Sequence, residues 1–314
     1  MTPRMPVNIL FAAHASRWKT WRAPLHDALT ETGLAYDLRT EFAPRDVDYI
    51  IYAPNSEVQD FTPFTRLKAV LGLWAGVEDV VNNETLTVPL TRMVDCGLTR
   101  GMTEWVAGHV LRHHLGMDAH ITNRTGIWQQ DIPPLAPDRR VAVLGMGALG
   151  RAAALALAAL GFDVTGWSRS AKTLDGVHCL HGPDGLRAAL AQAEIVVLLL
   201  PDTPATTNIL NAKTLAQLPR GAVILNPGRG TLIDDRALLA ALDSGHVAHA
   251  TLDVFRTEPL PAEHPYWAHP RVTVTPHIAS ETRPVTASRV IAENIRRGET
   301  GAPFLHLVDR KLGY

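Results

Sequence analysis

The chain is poor in cysteine, in net charge and in long apolar runs, and each shortage removes a class of protein. Only two cysteines, Cys96 and Cys179, occur in 314 residues. They form no metal-binding or redox motif and supply no disulfide framework. A reduced, intracellular and cytoplasmic protein is the expectation, with Cys96 read as a buried thiol rather than a nucleophile. The formal net charge is −1, which makes no electrostatic case for nucleic acid or an anionic membrane as partner. The 14 histidines would change that balance only below about pH 6.5. No apolar run approaches the ~20 residues of a membrane span. Met1-Thr2-Pro3-Arg4-Met5-Pro6 leads directly into a strand-like run, so no signal peptide is read there. Internal repeats and low-complexity segments are also missing.

What is present is a globular composition, 46% hydrophobic and 19% charged, in a chain long enough for two domains. Apolar runs at Val7–Ala12, Val47–Ala53, Leu67–Trp74 and Val88–Val94 alternate with helical spacing, as at Trp18–Thr30. That alternation predicts α/β architecture with a parallel sheet. A long helix is expected over Met102–His114, opened by Thr103 and Glu104 after a hinge at Gly101. The second half repeats strand, loop and helix through Val141–Leu144, Asp163–Trp167, Ile195–Leu200, Ala222–Asn226, His249–Val254 and Val272–Thr275, the rhythm of a doubly wound domain. A last helix, Pro284–Arg297, is expected to end at Gly298.

The organising stretch is Val141-Ala142-Val143-Leu144-Gly145-Met146-Gly147-Ala148-Leu149-Gly150. Here G-x-G-x-x-G lies between a buried strand and an alanine-rich helix, the context in which it binds a dinucleotide. Gly145 allows the tight turn, Gly147 lets the backbone approach a pyrophosphate, and Gly150 lets helix and strand pack. Amides at the helix start then face the phosphates. In open α/β sheets ligands bind beyond the carboxyl ends of the strands. That rule brings Ser168-Arg169, Pro201, Asn226 to Arg229, Asp253, Glu258 and His277 to one edge. Arg229 suits two-point binding of a 2-oxoacid. His277 suits proton donation, and Glu258 would stabilise its imidazolium.

The chain resembles the D-isomer-specific 2-hydroxyacid dehydrogenase family. The resemblance lies in Gly145 to Gly150, Leu199-Leu200-Pro201, Asn226-Pro227-Gly228-Arg229-Gly230, Leu252-Asp253-Val254-Phe255 with Glu258-Pro259-Leu260, and Thr275-Pro276-His277-Ile278-Ala279. In addition, Ala75-Gly76-Val77-Glu78 looks like the family's substrate-binding turn. Trp167-Ser168-Arg169, Thr282-Arg283-Pro284 and the ending Val308–Tyr314 are similar to its bacterial glyoxylate/hydroxypyruvate reductases.

The resemblance implies two doubly wound domains, a Rossmann cofactor domain inserted into a flavodoxin-like substrate domain. Boundaries are expected at 1–100, 101–283 and 284–314, the last segment returning to the substrate domain. It implies Arg229, Glu258 and His277 as catalytic, with Trp74, Ala75, Gly76 and Val77 at the substrate. It places Met146, Ala148, Leu149, Thr103, Pro201, Asn226 and Asp253 at the cofactor, Asp253 against the carboxamide. A homodimer is implied as well. Trp74 stands where the family often has glycine, and Glu78 where it often has aspartate. Trp74 reads either as narrowing the pocket or as part of the domain core.

The second strand ends in Ser168 where an acid would mark NAD, and Arg169 follows, with Lys172 nearby. A hydroxyl and a guanidinium suit a 2′-phosphate, so NADPH is the expected cofactor and NADH the alternative. The expected reaction is reduction of glyoxylate to glycolate and of hydroxypyruvate to D-glycerate. Two other readings stand beside it: a reductase of other 2-oxoacids, and a non-catalytic NAD(P)-sensing protein. No metal is expected.

Overall fold

The computed structural model describes residues 5–122, 126–128 and 130–313. The readings made on Met1 to Arg4 and on Tyr314 lie outside them. The chain divides into two compact units, Met1–Leu98 with Thr282–Tyr314, and Thr99–Glu281.

The first unit is a five-stranded parallel sheet of β1 (Val7–Ala12), β2 (Tyr36–Arg39), β3 (Tyr49–Tyr52), β4 (Ala69–Gly72) and β5 (Leu90–Thr91), in the order β2-β1-β3-β4-β5. One face is covered by α1 (Ala15–Glu31) and α10 (Pro284–Thr300), where Trp21, Leu25 and Leu29 meet Ala287, Ile291 and Ile295 over Ile9, Phe11 and Ile51. The other face carries the one-turn α2 (Glu78–Val81), with Val80 and Val81 against Ile50 and Val70. The tail returns to β5 through Val308 N–H to Leu90 O at 2.9 Å. Arg310 adds hydrogen bonds to the carbonyls of Val81, Asn83 and Leu86.

The second unit is a seven-stranded parallel sheet. Its strands are β6 (Arg140–Leu144), β7 (Asp163–Ser168), β8 (His178–His181), β9 (Ile195–Leu198), β10 (Ala222–Asn226), β11 (Val247–Leu252) and β12 (Val272–Val274), in the order β12-β11-β10-β9-β6-β7-β8. Strand order reverses between β6 and β9, which makes a crevice at their carboxyl ends. Both faces are covered, so the central strands β6, β9 and β10 are near-continuous apolar runs. Val141 and Val143 of β6 face α3 (Cys96–His114) and α5 (Ala148–Ala159), where they meet Val106, Val110, Ala154 and Leu157. Ala142 and Leu144 face the other layer, which holds Leu190 of α6 (Gly182–Gln192), Leu215 of α7 (Ala212–Leu215) and Leu238 and Leu242 of α8 (Asp235–Asp243). Two short helices, α4 (Met117–Thr122) and α9 (Pro265–Ala268), complete the set.

Several local expectations are corrected. Helix α3 begins at Cys96, not Met102. Asp95 caps it, its carboxylate accepting from Gly97 N–H at 3.0 Å and Leu98 N–H at 3.2 Å. Gly101 is therefore inside a helix rather than in a break before one. A Cβ there would lie 2.9 Å from Ser280 Oγ, so the glycine serves close packing. Helix α10 passes through Gly298, where a Cβ would strike the Tyr49 hydroxyl, and ends at Gly301, whose φ of 71° provides the left-handed cap. Cys96 is exposed rather than buried, because it opens α3 on the solvent side.

Candidate active site

The glycine loop joins β6 to α5, and its three glycines answer to three different constraints. Gly145 has φ +113°, and a Cβ on it would lie 2.5 Å from the Leu199 carbonyl carbon. A Cβ on Gly150 would collide with the Gly145 carbonyl. Around Gly147, in contrast, a Cβ would meet nothing within 4 Å. That open side stands at the N-cap of α5, where no side chain caps the first amides. These amides and the open side fit a pyrophosphate. Met146 is buried, its sulfur against Gly166, whereas Ala148 is exposed and Leu149 half-buried.

At the end of β7, Ser168 is buried and donates its hydroxyl to Ser170 O at 2.8 Å. Arg169 and Lys172 are exposed. No acidic residue stands at this strand end. Pro201, after β9, uses its carbonyl to accept from Thr206 Oγ1 at 2.7 Å. Thr103 lies on α3 and donates its hydroxyl to Thr99 O at 2.8 Å.

Arg229 sits after β10 between two glycines that permit close backbone approach. A Cβ at Gly228 would lie 2.8 Å from Leu198 O, and one at Gly230 would overlap the Phe255 backbone. Asn226, 1% exposed, clamps the turn: its Nδ2 donates to Arg229 O at 2.9 Å and its Oδ1 accepts from Gly228 N–H at 3.1 Å. The Asn226 amide thus shapes the loop that carries Arg229. The guanidinium is partly exposed, with Nη1 donating to Gly228 O at 2.7 Å.

His277 and Glu258 form the central pair. Nδ1 of His277 lies 2.6 Å from Oε2 of Glu258, and the other carboxylate oxygen accepts from Phe255 N–H at 2.9 Å. Both carboxylate oxygens are thus engaged, which orients the imidazole. Its side chain is 52% exposed, open to a ligand. The His277 backbone is left-handed at φ 54°, and its N–H donates to Asp253 O at 2.8 Å.

Asp253 is what holds this loop. Fully buried, its carboxylate accepts from Thr275 Oγ1 at 2.5 Å, Ile278 N–H at 2.9 Å and Ala279 N–H at 2.8 Å. Thr275 was not among the sequence-predicted site residues, although its place directly before Pro276-His277 was the available signal. A cavity of about 200 Å³ is lined by Asn226, Gly230, Phe255, Arg256 and Tyr266, so it adjoins both the Arg229 and the Glu258 loops.

A histidine group sits on α3 and β11, away from these strand ends. His113 Nε2 pairs with Thr251 Oγ1 and His249 Nε2 with Thr273 Oγ1, each at 2.9 Å, and the two rings lie 4.9 Å apart. Burial, then His249 and Arg112, push His113 down to about 3. Burial and Arg112 push His249 down to about 4. Arg112 itself is held by Asp118 in a two-point contact of 2.6 and 2.8 Å. No group of three metal-ligating side chains occurs among the described residues.

In the first unit, the turn Trp74–Val77 follows β4. Trp74 is half-buried against the core that includes Trp21, Leu73 and Met93, and its carbonyl accepts from Met93 N–H at 2.8 Å. Ala75 and Gly76 are half-buried, and Val77 is buried and caps α2. Among the described residues, no helix is long and apolar enough to cross a membrane.

Comparison with known proteins gives a consistent result. The family described as D-isomer specific 2-hydroxyacid dehydrogenase, NAD binding domain, matches residues 106–279. A glyoxylate/hydroxypyruvate reductase A from Yersinia enterocolitica is 38% identical over 320 residues, covering 98% of this chain and 100% of that protein. A D-isomer specific 2-hydroxyacid dehydrogenase from Xanthobacter autotrophicus, solved with NADPH and MES, is 43% identical with a TM-score of 0.92, over 99% of this chain and 100% of that one. An NADPH-dependent glyoxylate/hydroxypyruvate reductase from Sinorhizobium meliloti, solved with NADP and sulfate, is 34% identical with a TM-score of 0.84, over the same shares.

Proposed function

The chain belongs to the D-isomer specific 2-hydroxyacid dehydrogenase family, whose members are NAD(P)-dependent, and from that premise we propose an NADPH-preferring reductase of glyoxylate and hydroxypyruvate. The observation that carries the chemistry is the 2.6 Å contact between His277 Nδ1 and Glu258 Oε2. It occupies one ring nitrogen and leaves Nε2 as the proton-bearing atom for a substrate oxygen.

The glycine loop, Ser168 and Arg169 would hold the dinucleotide, which supplies hydride when bound. Arg229 holds the oxoacid through its carboxylate and carbonyl oxygens, in the two-point geometry a guanidinium provides. As charge develops on the carbonyl oxygen, Nε2 of His277 gives it a proton, and Arg229 stabilises what remains. Glu258 stabilises the imidazolium before transfer and keeps the ring aligned. Asn226 and Asp253 act through the loops they clamp.

The preference for NADPH is supported by the missing acid at the end of β7 and by the exposed cation Arg169 beside Ser168. Homodimerisation through the Thr99–Glu281 unit is part of the same proposal. It is supported by apolar side chains left in solvent before β6, with Trp128 89% and Ile132 90% exposed.

Steady-state oxidation of NADPH and NADH with glyoxylate, hydroxypyruvate, pyruvate and longer 2-oxoacids tests the reading. Turnover with the two named substrates and a higher kcat/KM for NADPH are expected. Faster turnover of longer 2-oxoacids would replace the substrate assignment. A preference for NADH would remove the cofactor assignment. The variant Arg169→Asp is expected to move the cofactor ratio toward NADH by at least about tenfold, the scale of one charge-assisted contact.

A further inference from the structure

Two residues before Glu258 stands Arg256, a cation that neither proton transfer nor oxoacid binding uses. Its main chain belongs to the turn 255–258, which Glu258 closes by accepting from Phe255 N–H at 2.9 Å. Its guanidinium belongs to a different loop of the same unit. Nη2 donates to Ile233 O, to Thr231 O at 3.3 Å and to Asn208 Oδ1. Nε lies 3.4 Å from Asp235 Oδ2, and Tyr266 holds that carboxylate by donating its hydroxyl to Oδ1 at 2.8 Å.

The grip falls just after Arg229. That residue opens the 3-10 turn Gly230–Leu232, and the carbonyls taken are those of Thr231 and Ile233. Arg256 thus joins the loop that carries Arg229 to the turn that carries Glu258. Close packing joins them at one point, where a Cβ on Gly230 would overlap the backbone of Phe255 and Arg256. Beyond it, Ile233 on one side and Thr257 and Leu260 on the other line the cavity of about 200 Å³. Dispersion contacts are lost across such a gap, which leaves the spacing there to polar ties. A planar fork can meet the carboxylate and the carbonyls at once, whereas an ammonium is a single point. The charge strengthens each bond to a neutral oxygen.

We propose that Arg256 is a positioning residue for the reduction: by tying the 230–233 segment to the turn 255–258, it fixes the spacing between Arg229 and the Glu258–His277 pair. The inference rests on the reductase reading above. In that reading Arg229 holds the oxoacid and His277 Nε2 gives it a proton, so a change of spacing moves the carbonyl oxygen off the proton donor. A misplacement of about 1 Å costs on the order of 100-fold in rate. Losing Arg256 is therefore felt in the chemical step. The dinucleotide, held by the loop after β6, keeps its affinity. The Arg256 side chain is 34% exposed, so its ion pair with Asp235 adds little to stability, and the loss of rate can be read apart from unfolding.

The experiment compares Arg256→Met and Arg256→Lys with the wild-type enzyme. It reads the single-turnover rate of NADPH oxidation at saturating hydroxypyruvate, KM for the oxoacid, and Kd for NADPH by fluorescence titration. Arg256→Met should lower the single-turnover rate by at least about tenfold, with Kd for NADPH unchanged within about twofold. Arg256→Lys should fall between, since it keeps the charge and loses the fork. In a Glu258→Gln background the change Arg256→Met should cost less than about threefold, because the group it aligns is already lost. If Arg256→Met does not fold, Asp235→Asn, which keeps an acceptor for Tyr266, should lower the rate in the same direction and lose that effect beside Glu258→Gln. A wild-type rate in the folded variant overturns the proposal. So does a loss confined to KM that lysine fully restores, which would make Arg256 a simple attractor of anionic substrate. Losses that multiply in full with those of Glu258→Gln overturn it too. Each of these leaves the reductase reading intact, whereas a wild-type enzyme that reduces no 2-oxoacid overturns both.

Discussion

Two loops at the carboxyl ends of one sheet reach definite shapes by opposite means. The loop after β6 is shaped by missing side chains: Gly145 and Gly150 leave room for backbone that a Cβ would displace. The loop after β12 is shaped by one side chain that is present, the buried Asp253 carboxylate with its three donors. The first can be altered only by adding atoms, whereas the second is undone by changing a single functional group. The first holds a ligand on its backbone. The second holds a side chain, His277, which does the chemistry.

The contrast can be broken at several points. Gly145→Ala combines a positive φ with backbone overlap and should cost about 3 kcal/mol or more in denaturant unfolding. His277→Ala should lower kcat by at least ~100-fold, equivalent to about 2.7 kcal/mol of barrier, while the melting temperature barely moves because the ring is half in solvent. Near-normal turnover would remove His277 from the proton transfer. Asp253→Asn turns an amide donor toward the backbone donors of the 275–279 loop and should cost about 2 kcal/mol, with kcat falling as His277 loses its support.

Acid should separate the two loops. His113 and His249 stay neutral in the folded protein down to about 3 and about 4, below the ordinary histidine value of 6.5. The unfolded chain takes up these protons below about pH 6.5 and the folded chain does not. Their stabilising contribution is therefore complete above that pH and declines as pH falls. Each histidine adds at most about 1.4 kcal/mol per pH unit, less as far as solvent reaches it, and the decline from His113 continues to lower pH than that from His249. Both bear on β11 and β12 through Thr251 and Thr273. Hydrogen exchange near pH 5 should therefore show loss of protection at residues 272–279 before residues 145–150. The reverse order would detach the histidines from the loop. The smallest stability effect belongs to Gly147→Ala, less than about 1 kcal/mol. That variant should still bind NADPH at least tenfold more weakly, since its methyl group faces the open side of the loop.

What could be read in the sequence follows the same division. The glycine loop was legible because glycine spacing is a direct statement about backbone geometry. Strands β1, β6, β9 and β10 were legible because sheets covered on both faces leave apolar runs. The edge strand β8, His-Cys-Leu-His, was missed: it is short, polar and exposed at both ends. The start of α3 was misplaced because Gly101 looked like a break, while Asp95, the true cap, lay six residues upstream. Arg229, Glu258 and His277 were found as residue types at strand ends. The Glu258–His277 pairing was also expected from the sequence, whereas its atoms, Nδ1 on Oε2, and the left-handed backbone of His277 depend on contacts between distant segments. The use of Asp253 and Asn226 as loop clamps likewise emerges only when the chain is folded.

The packing of α10 against α1 has a consequence for how the protein is made. Helix α1 is synthesised before Thr99–Glu281, but the side chains that cover it, Ala287, Ile291 and Ile295, leave the ribosome only after all of that unit has been translated. The interrupted unit must therefore wait with Trp21, Leu25 and Leu29 uncovered while the inserted one, contiguous in sequence, is already complete. A nascent chain stalled before residue 284 would carry a finished dinucleotide fold and an unfinished substrate fold, and the latter is the part that chaperones and proteases would meet first.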